Sequence, residues 1–342
     1  MRLPKMQKLL SMSALALAFS ASIANAATVN VYSARKEALI KPVLEQFSEK
    51  TGIEVRLLTG NGNALLARLE NEGENTPADL FLTVDAGNLH RAAEAGVFQP
   101  ITSEDVLLKV PSNLHGKDNL WIGLSLRARP IFYAKDRVDP SKLSGYQDLA
   151  DSEWDNNVCI RSSDNIYNQS LTAALIHHWG VEKTEEWAHG LVDNLAKPPV
   201  GGDRDQIKAV AAGVCDLAVA NTYYLGLMEA SEDADEREAA SKVAIFWPNQ
   251  ESFGTHVNVS GIGITKHSEN KDAAQQLLAY LLSPEAQQWY ATTNNEYPAV
   301  KGVEWSERLK NWGPFKMDDL EMSVLGENNA AAVKLMNRAG WR

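Results

Sequence analysis

The chain has 342 residues, two cysteines and a formal charge of −11. Arg2, Lys5 and Lys8 are the only charged residues among the first 26, so the remainder carries −14. That balance argues against nucleic acid and anionic membrane surfaces as partners, and the remaining length exceeds what one core usually holds, which calls for two lobes with a cleft between them.

The basic start is followed by an apolar, small-residue stretch, Leu9 to Ile23, and by the small-x-small pattern Ala24-Asn25-Ala26. Residues 1–26 therefore read as a secretory signal peptide, with the mature chain beginning at Ala27. No cysteine lies near that point to take a lipid anchor. No later stretch approaches the roughly 20 apolar residues of a membrane span, so a soluble product without membrane insertion is expected.

Val29 to Ser33 reads as a strand, followed by a helix through Leu39 and Phe47 that Gly52 ends. Ile53 to Leu57 is a second strand and Ala64 to Leu69 a helix. Between them, Gly60-Asn-Gly-Asn63 lacks a phosphate-loop lysine and reads as a strand-to-helix turn. Asp79 to Val84 is a third strand, with Asp85 placed to cap a helix from Ala86 to Ala95. This alternation implies a parallel sheet covered on both faces.

Leu120 to Leu126 and Ile131 to Tyr133 are extended segments flanking Arg127-Ala-Arg129-Pro130, and a second alternating block runs from Leu149 to Phe246. Within it, Val158 to Ile160 is a short strand. It opens into a polar loop, Arg161 to Ser170, that carries Tyr167 and leads into a helical Leu171 to Ile176. Asp216 to Ala220 reads as a buried strand, which sets Tyr223 and Tyr224 in a loop at its carboxyl end, where open α/β sheets place ligands. Three phenols at two strand ends are positioned to converge.

Glu229 to Glu238 reads as a solvated acidic helix face. After Trp247-Pro248, His256 to Ser260 and Gly261 to Ile264 read as two strands returning to the first lobe, so two crossings form a hinge. Asp272 to Leu282 is an amphipathic helix, and Ala330 to Met336 closes the chain as a helix.

Cys159 and Cys215 each open a predicted strand. They form a disulfide if the strands are neighbours and are buried thiols if not. His177, His178 and His189 lack zinc-site spacing, and no nucleophile elbow or carboxylate pair recommends an enzyme.

The tyrosine pair, the segment Ser162-Ser-Asp-Asn-Ile-Tyr167-Asn-Gln-Ser170, the preceding Arg127-Ala-Arg129, and Gly254-Thr-His-Val-Asn-Val-Ser-Gly261 resemble the periplasmic ferric-ion-binding proteins. These are the substrate-binding components of ABC-type iron uptake systems. The resemblance covers essentially the whole mature chain. It implies an α/β, two-lobe periplasmic-binding-protein fold (Venus flytrap, transferrin-like) with a hinge of crossing strands. The expected division places 27–126 and 257–300 in the first lobe and 127–256, with the tyrosines, in the second; 301–342 is a helical segment of unassigned lobe. A periplasmic monomer is implied, capturing Fe(3+) for an ABC permease and its ATPase.

Phenolate is a hard anionic donor suited to ferric ion, and three of them neutralise its charge, which lowers the penalty of burying it between lobes. Tyr167, Tyr223 and Tyr224 are thus the expected ligands. In the family a histidine or tyrosine of the first lobe, or water with a small synergistic anion such as carbonate, completes the sphere. Where some relatives have His-Tyr, this chain has Lys36-Glu37, so three tyrosines with an anion or water is the expected site. Glu37 is a candidate carboxylate ligand, its other reading being an exposed helix-start residue. Arg127 is the candidate anion partner by resemblance, with Arg35 and Lys36 behind it. The competing function is a receptor of the same fold for phosphate, thiamine or a polyamine, against which the clustered phenols argue.

Overall fold

The computed structural model describes residues 27–342, and the expected signal peptide lies outside the described residues. Among these residues the strands are β1 (Thr28–Ser33), β2 (Glu54–Thr59), β3 (Leu80–Val84), β4 (Phe98–Gln99), β5 (Ile122–Ala128), β6 (Ile131–Ala134), β7 (Val158–Cys159), β8 (Leu217–Val219), β9 (Val243–Phe246), β10 (Val257–Thr265) and β11 (Tyr297–Pro298). They form two sheets, one in the order β11-β5-β10-β3-β1-β2 with β4 beside β10, the other β7-β8-β6-β9. Each sheet has its own core, represented by Val31, Leu82, Leu124 and Ile262 in the first and by Phe132, Leu171, Leu217 and Val219 in the second. The molecule is a two-lobe periplasmic-binding-protein fold.

The expected parallel sheet is mixed. β1 runs parallel to β2 and β3, as strands joined through helices must, whereas β10 is antiparallel to both β3 and β5. β5 leaves the first lobe in the direction of the parallel strands, and β10 returns against them. The two strands expected at 256–260 and 261–264 are the single strand β10, with a register shift against β5 between Ser260 and Gly261. A Cβ at Gly261 would lie 2.7 Å from the Ile122 carbonyl oxygen, so the glycine that made the pattern look interrupted is required by close strand packing.

Pro130 stands between β5 and β6. It has no N–H with which to continue a ladder, so the chain passes to the second sheet there. The returning segment lies alongside: Arg129 N donates to His256 O at 3.0 Å. The buried Tyr146 phenol joins both crossings, donating to Arg129 O at 2.8 Å and accepting from His256 N at 3.1 Å. The C-terminal segment makes a third passage, packing Leu309, Leu320 and Leu325 on the first core and Leu335, Met336 and Trp341 on the second. Cys159 and Cys215 form a disulfide with Cα atoms 6.0 Å apart. Loop closure of this kind contributes about 2–4 kcal/mol. The acidic stretch is not solvated throughout, because Glu236 is buried against Lys208 and Arg204 at 2.8 and 3.4 Å.

Candidate functional site

β7 and β8 are parallel neighbours, with Val158 beside Leu217 and Cys159 beside Ala218, so their carboxyl ends open on the same side. Asn221, extended at φ −76°, precedes the helix Thr222–Glu229, and Asn165 precedes the helix Ile166–Trp179 in the same way. The tyrosines are therefore on the first turns of two helices and not in the loops expected. Each asparagine stands at the position before its helix without capping it through its side chain, and each helix starts earlier than apolar periodicity alone shows. The rings of Tyr223 and Tyr224 are 4.1 Å apart between centroids, at 31°.

All three tyrosines line one cavity of about 700 Å³, together with Arg35, Lys36, Arg127, Arg161, Asp203 and Glu296 from both lobes. Six cationic side chains and four carboxylates surround it, an excess of positive charge in an acidic protein. The Arg127 and Arg129 guanidiniums lie 5.4 and 5.9 Å from the centre of the Tyr167 ring. Arg127 donates to Val259 O, and its buried Nε has no partner.

Each phenol of the pair resists ionisation in the free protein. Burial pushes Tyr223 well above its ordinary value, with Tyr167 and Tyr224 adding to this and Arg127 opposing it. Tyr224 is pushed up to about 12 by burial, then by Tyr167 and Asp203. A cation that binds there as a phenolate complex must release protons.

Arg35 is committed elsewhere. It makes a bidentate pair with Glu296 at 2.8 and 3.0 Å and also donates to Ser260, while Ser125 donates to the same carboxylate. Burial opposes ionisation of Glu296, but Arg35, with Arg127 and Ser125 adding to it, holds the carboxyl below the usual range. Glu37 is not brought to the cavity: its carboxylate pairs with Lys41 at 2.9 Å on an exposed surface. The helix-start reading of Glu37 is the one its position matches. Lys36 lines the cavity, one residue away.

Arg129, unsingled among the sequence candidates, organises the site. It donates to Asn168 Oδ1 on the Tyr167 helix and to Asn221 Oδ1 at the head of the tyrosine-pair helix, the latter at 3.0 Å. It also lies 3.4 Å from Asp203, which Arg161 approaches at 3.8 Å. One buried guanidinium thus fixes the starts of both tyrosine helices.

Residues 43–317 match the model of the bacterial extracellular solute-binding proteins. The chain is 45% identical over 314 residues to iron uptake protein A1 of Synechocystis sp., spanning 92% of this chain and 87% of that one. It is 27% identical over 335 residues to the Fe(3+)-binding periplasmic protein of Serratia marcescens, spanning 96% and 95%. Among solved structures, the Trichodesmium protein IdiA (FutA) in complex with iron and citrate superposes with a TM-score of 0.89 at 49% identity, covering 92% of this chain and all of that one.

Proposed function

The chain belongs to the bacterial extracellular solute-binding proteins, among their ferric-ion-binding members, and from this we propose that it captures ferric ion in the periplasm through Tyr167, Tyr223 and Tyr224 and delivers it to an ABC-type permease. The observation that carries the ligand assignment is the convergence of three phenols from two helix starts in one cavity. Among the described residues no cluster of three or more His, Cys, Asp or Glu is placed to hold a metal, whereas phenol oxygen is a donor that the cavity offers three times over. It is also the donor a hard trivalent cation prefers.

Charge explains how the site discriminates. With the Tyr223 and Tyr224 phenols protonated the cavity is cationic, which disfavours polyamines and thiamine and repels bare cations. Three phenolates formed on binding cancel the ferric charge and leave the arginines to hold an anion. Arg127, whose guanidinium donates to the Val259 carbonyl, is the better anion partner than Arg35, which is held in a bidentate pair by Glu296. The anion is carbonate or a small carboxylate; the Trichodesmium relative is in complex with iron and citrate. The test is titration of the protein with ferric salt. A visible phenolate-to-iron charge-transfer band is expected, and iron binding without such a band would remove the tyrosines from the site.

A further inference from the structure

The helix Thr222–Glu229 reaches two cavities. Its first turn presents Tyr223 and Tyr224 to the cleft, while Leu225 and Glu229 line a second groove of about 690 Å³ whose other walls include Arg308 and Trp312 of the C-terminal segment. Glu229 closes that groove across the lobes. Its Oε2 pairs with Arg308 Nε at 3.1 Å, and its Oε1 lies 3.4 Å from the Trp312 indole nitrogen, which donates to it. Arg308 is anchored in turn, donating to Asn295 Oδ1 at 2.8 Å. Its neighbour Leu309 is buried in the first core. Midway along the helix, Gly226 sits against Asn295 so closely that a Cβ would lie 2.6 Å from the Asn295 side chain. The next residue, Glu296, is the cleft carboxylate held by Arg35.

We propose that Glu229 is a positioning residue for iron retention: latched by Arg308 and Trp312, it holds the tyrosine-pair helix against the first lobe, so that opening of the cleft requires the latch to part. The inference rests on Tyr223 and Tyr224 being iron ligands. The ion pair is about one-third exposed, and its loss should speed release by roughly two- to fivefold, the range of a partly solvated pair. The Gly226–Asn295 contact supplies the geometry within which the pair acts.

The experiment compares the full mature protein with Glu229→Gln, Arg308→Ala and the charge exchange Glu229→Arg with Arg308→Glu. Iron loss to excess competing chelator is followed through the visible band, and thermal unfolding of the iron-free forms is measured in parallel. Each single variant should release iron about two- to fivefold faster, with the band position unchanged and the exchange recovering part of the loss. Release at the native rate in both single variants, with the band intact, would overturn the latch. A lowered melting temperature without faster release would also overturn it, assigning the pair to stability alone. Absence of the band in the native protein would instead refute the tyrosine ligation beneath it.

Discussion

Ser170 Oγ donates a 2.6 Å hydrogen bond to Asp85 Oδ1, joining the helix that carries Tyr167 to the cap of the helix Ala86–Glu94 in the first lobe. Asp85 also accepts from Gly87 N and from Asn258 Nδ2 on β10, each at 2.8 Å. One buried carboxylate thus ties the first lobe, a crossing strand and the second lobe. Burial pushes it up to about 6, against the pull of Ser170, Gly87, Arg127 and Arg129.

Ser170→Ala should therefore destabilise the protein in a pH-dependent way. The Asp85 value is raised above 3.8, so its stabilising contribution is fully present below that pH and is lost as pH rises through about 6. At pH 7 the carboxylate is mainly ionised, and losing a donor should cost about 1–3 kcal/mol. At pH 5 the group is largely protonated and the loss should be smaller. Urea unfolding at the two pH values measures the difference. Equal losses would mean that Ser170 acts through packing and not through the charge on Asp85.

Replacing any one of Tyr167, Tyr223 and Tyr224 by phenylalanine should weaken ferric binding by at least the roughly ten- to hundredfold that loss of an outer-shell metal partner produces. The ring remains, so the fold should change little. Competition against a chelator of known affinity gives the number, and the visible band gives the assignment. Unaltered affinity and spectrum in Tyr223→Phe would exclude that residue. Double changes need not add, because the ligands share one metal.

Proton linkage provides a separate check on the same phenols. In the iron-free protein Tyr224 is raised from 10.0 to about 12, so its contribution is fully present below pH 10 and is lost as pH rises through about 12. The iron-free native protein should lose about 2 kcal/mol more than Tyr224→Phe between pH 9 and 12. Iron loading near neutrality should release protons, and apparent affinity should fall as pH drops, because each bound phenolate displaces a proton. Parallel alkaline curves for the two proteins would show that Tyr224 is not shielded as its burial implies.

The lobes and the tyrosines were legible in sequence because each leaves a local mark. Asp85 before an apolar periodic run marks a helix cap, and its side chain accepts from Gly87 N as such a cap should. Tyr223 and Tyr224 follow a buried strand, so their place at its carboxyl end could be read. The helix starts were missed because Asn165 and Asn221 resemble loop residues, and Asn221 spends its side-chain oxygen on Arg129 and not on its own helix. Buried charges left no local pattern at all. Arg129 meets Asp203 and Asn168 from 74 and 39 residues away, and Arg35 meets Glu296 across 261. A buried guanidinium is recognisable only through partners that the fold supplies.

Arg127 and Arg129 are two residues apart and should fail differently. Arg127 lines the cavity and donates to the Val259 carbonyl, whereas the Arg129 guanidinium is engaged by the side chains of Asn168, Asn221 and Asp203. If an anion completes the iron sphere, the cluster becomes negative and Arg127 offsets it in a partly desolvated cleft. Arg127→Ala should then weaken iron binding mainly in bicarbonate buffer, with less effect where water alone completes the sphere. Arg129→Gln should weaken binding in both buffers, because it releases the starts of both tyrosine helices. It should also lower stability by about 3–5 kcal/mol, since Asp203 would remain buried with only Arg161 at 3.8 Å. Matched titrations with and without bicarbonate, beside urea unfolding, separate the two roles. Equal losses for Arg127→Ala in both buffers would give it a general electrostatic role and turn the search for the anion partner to Lys36, since Arg35 is held by Glu296.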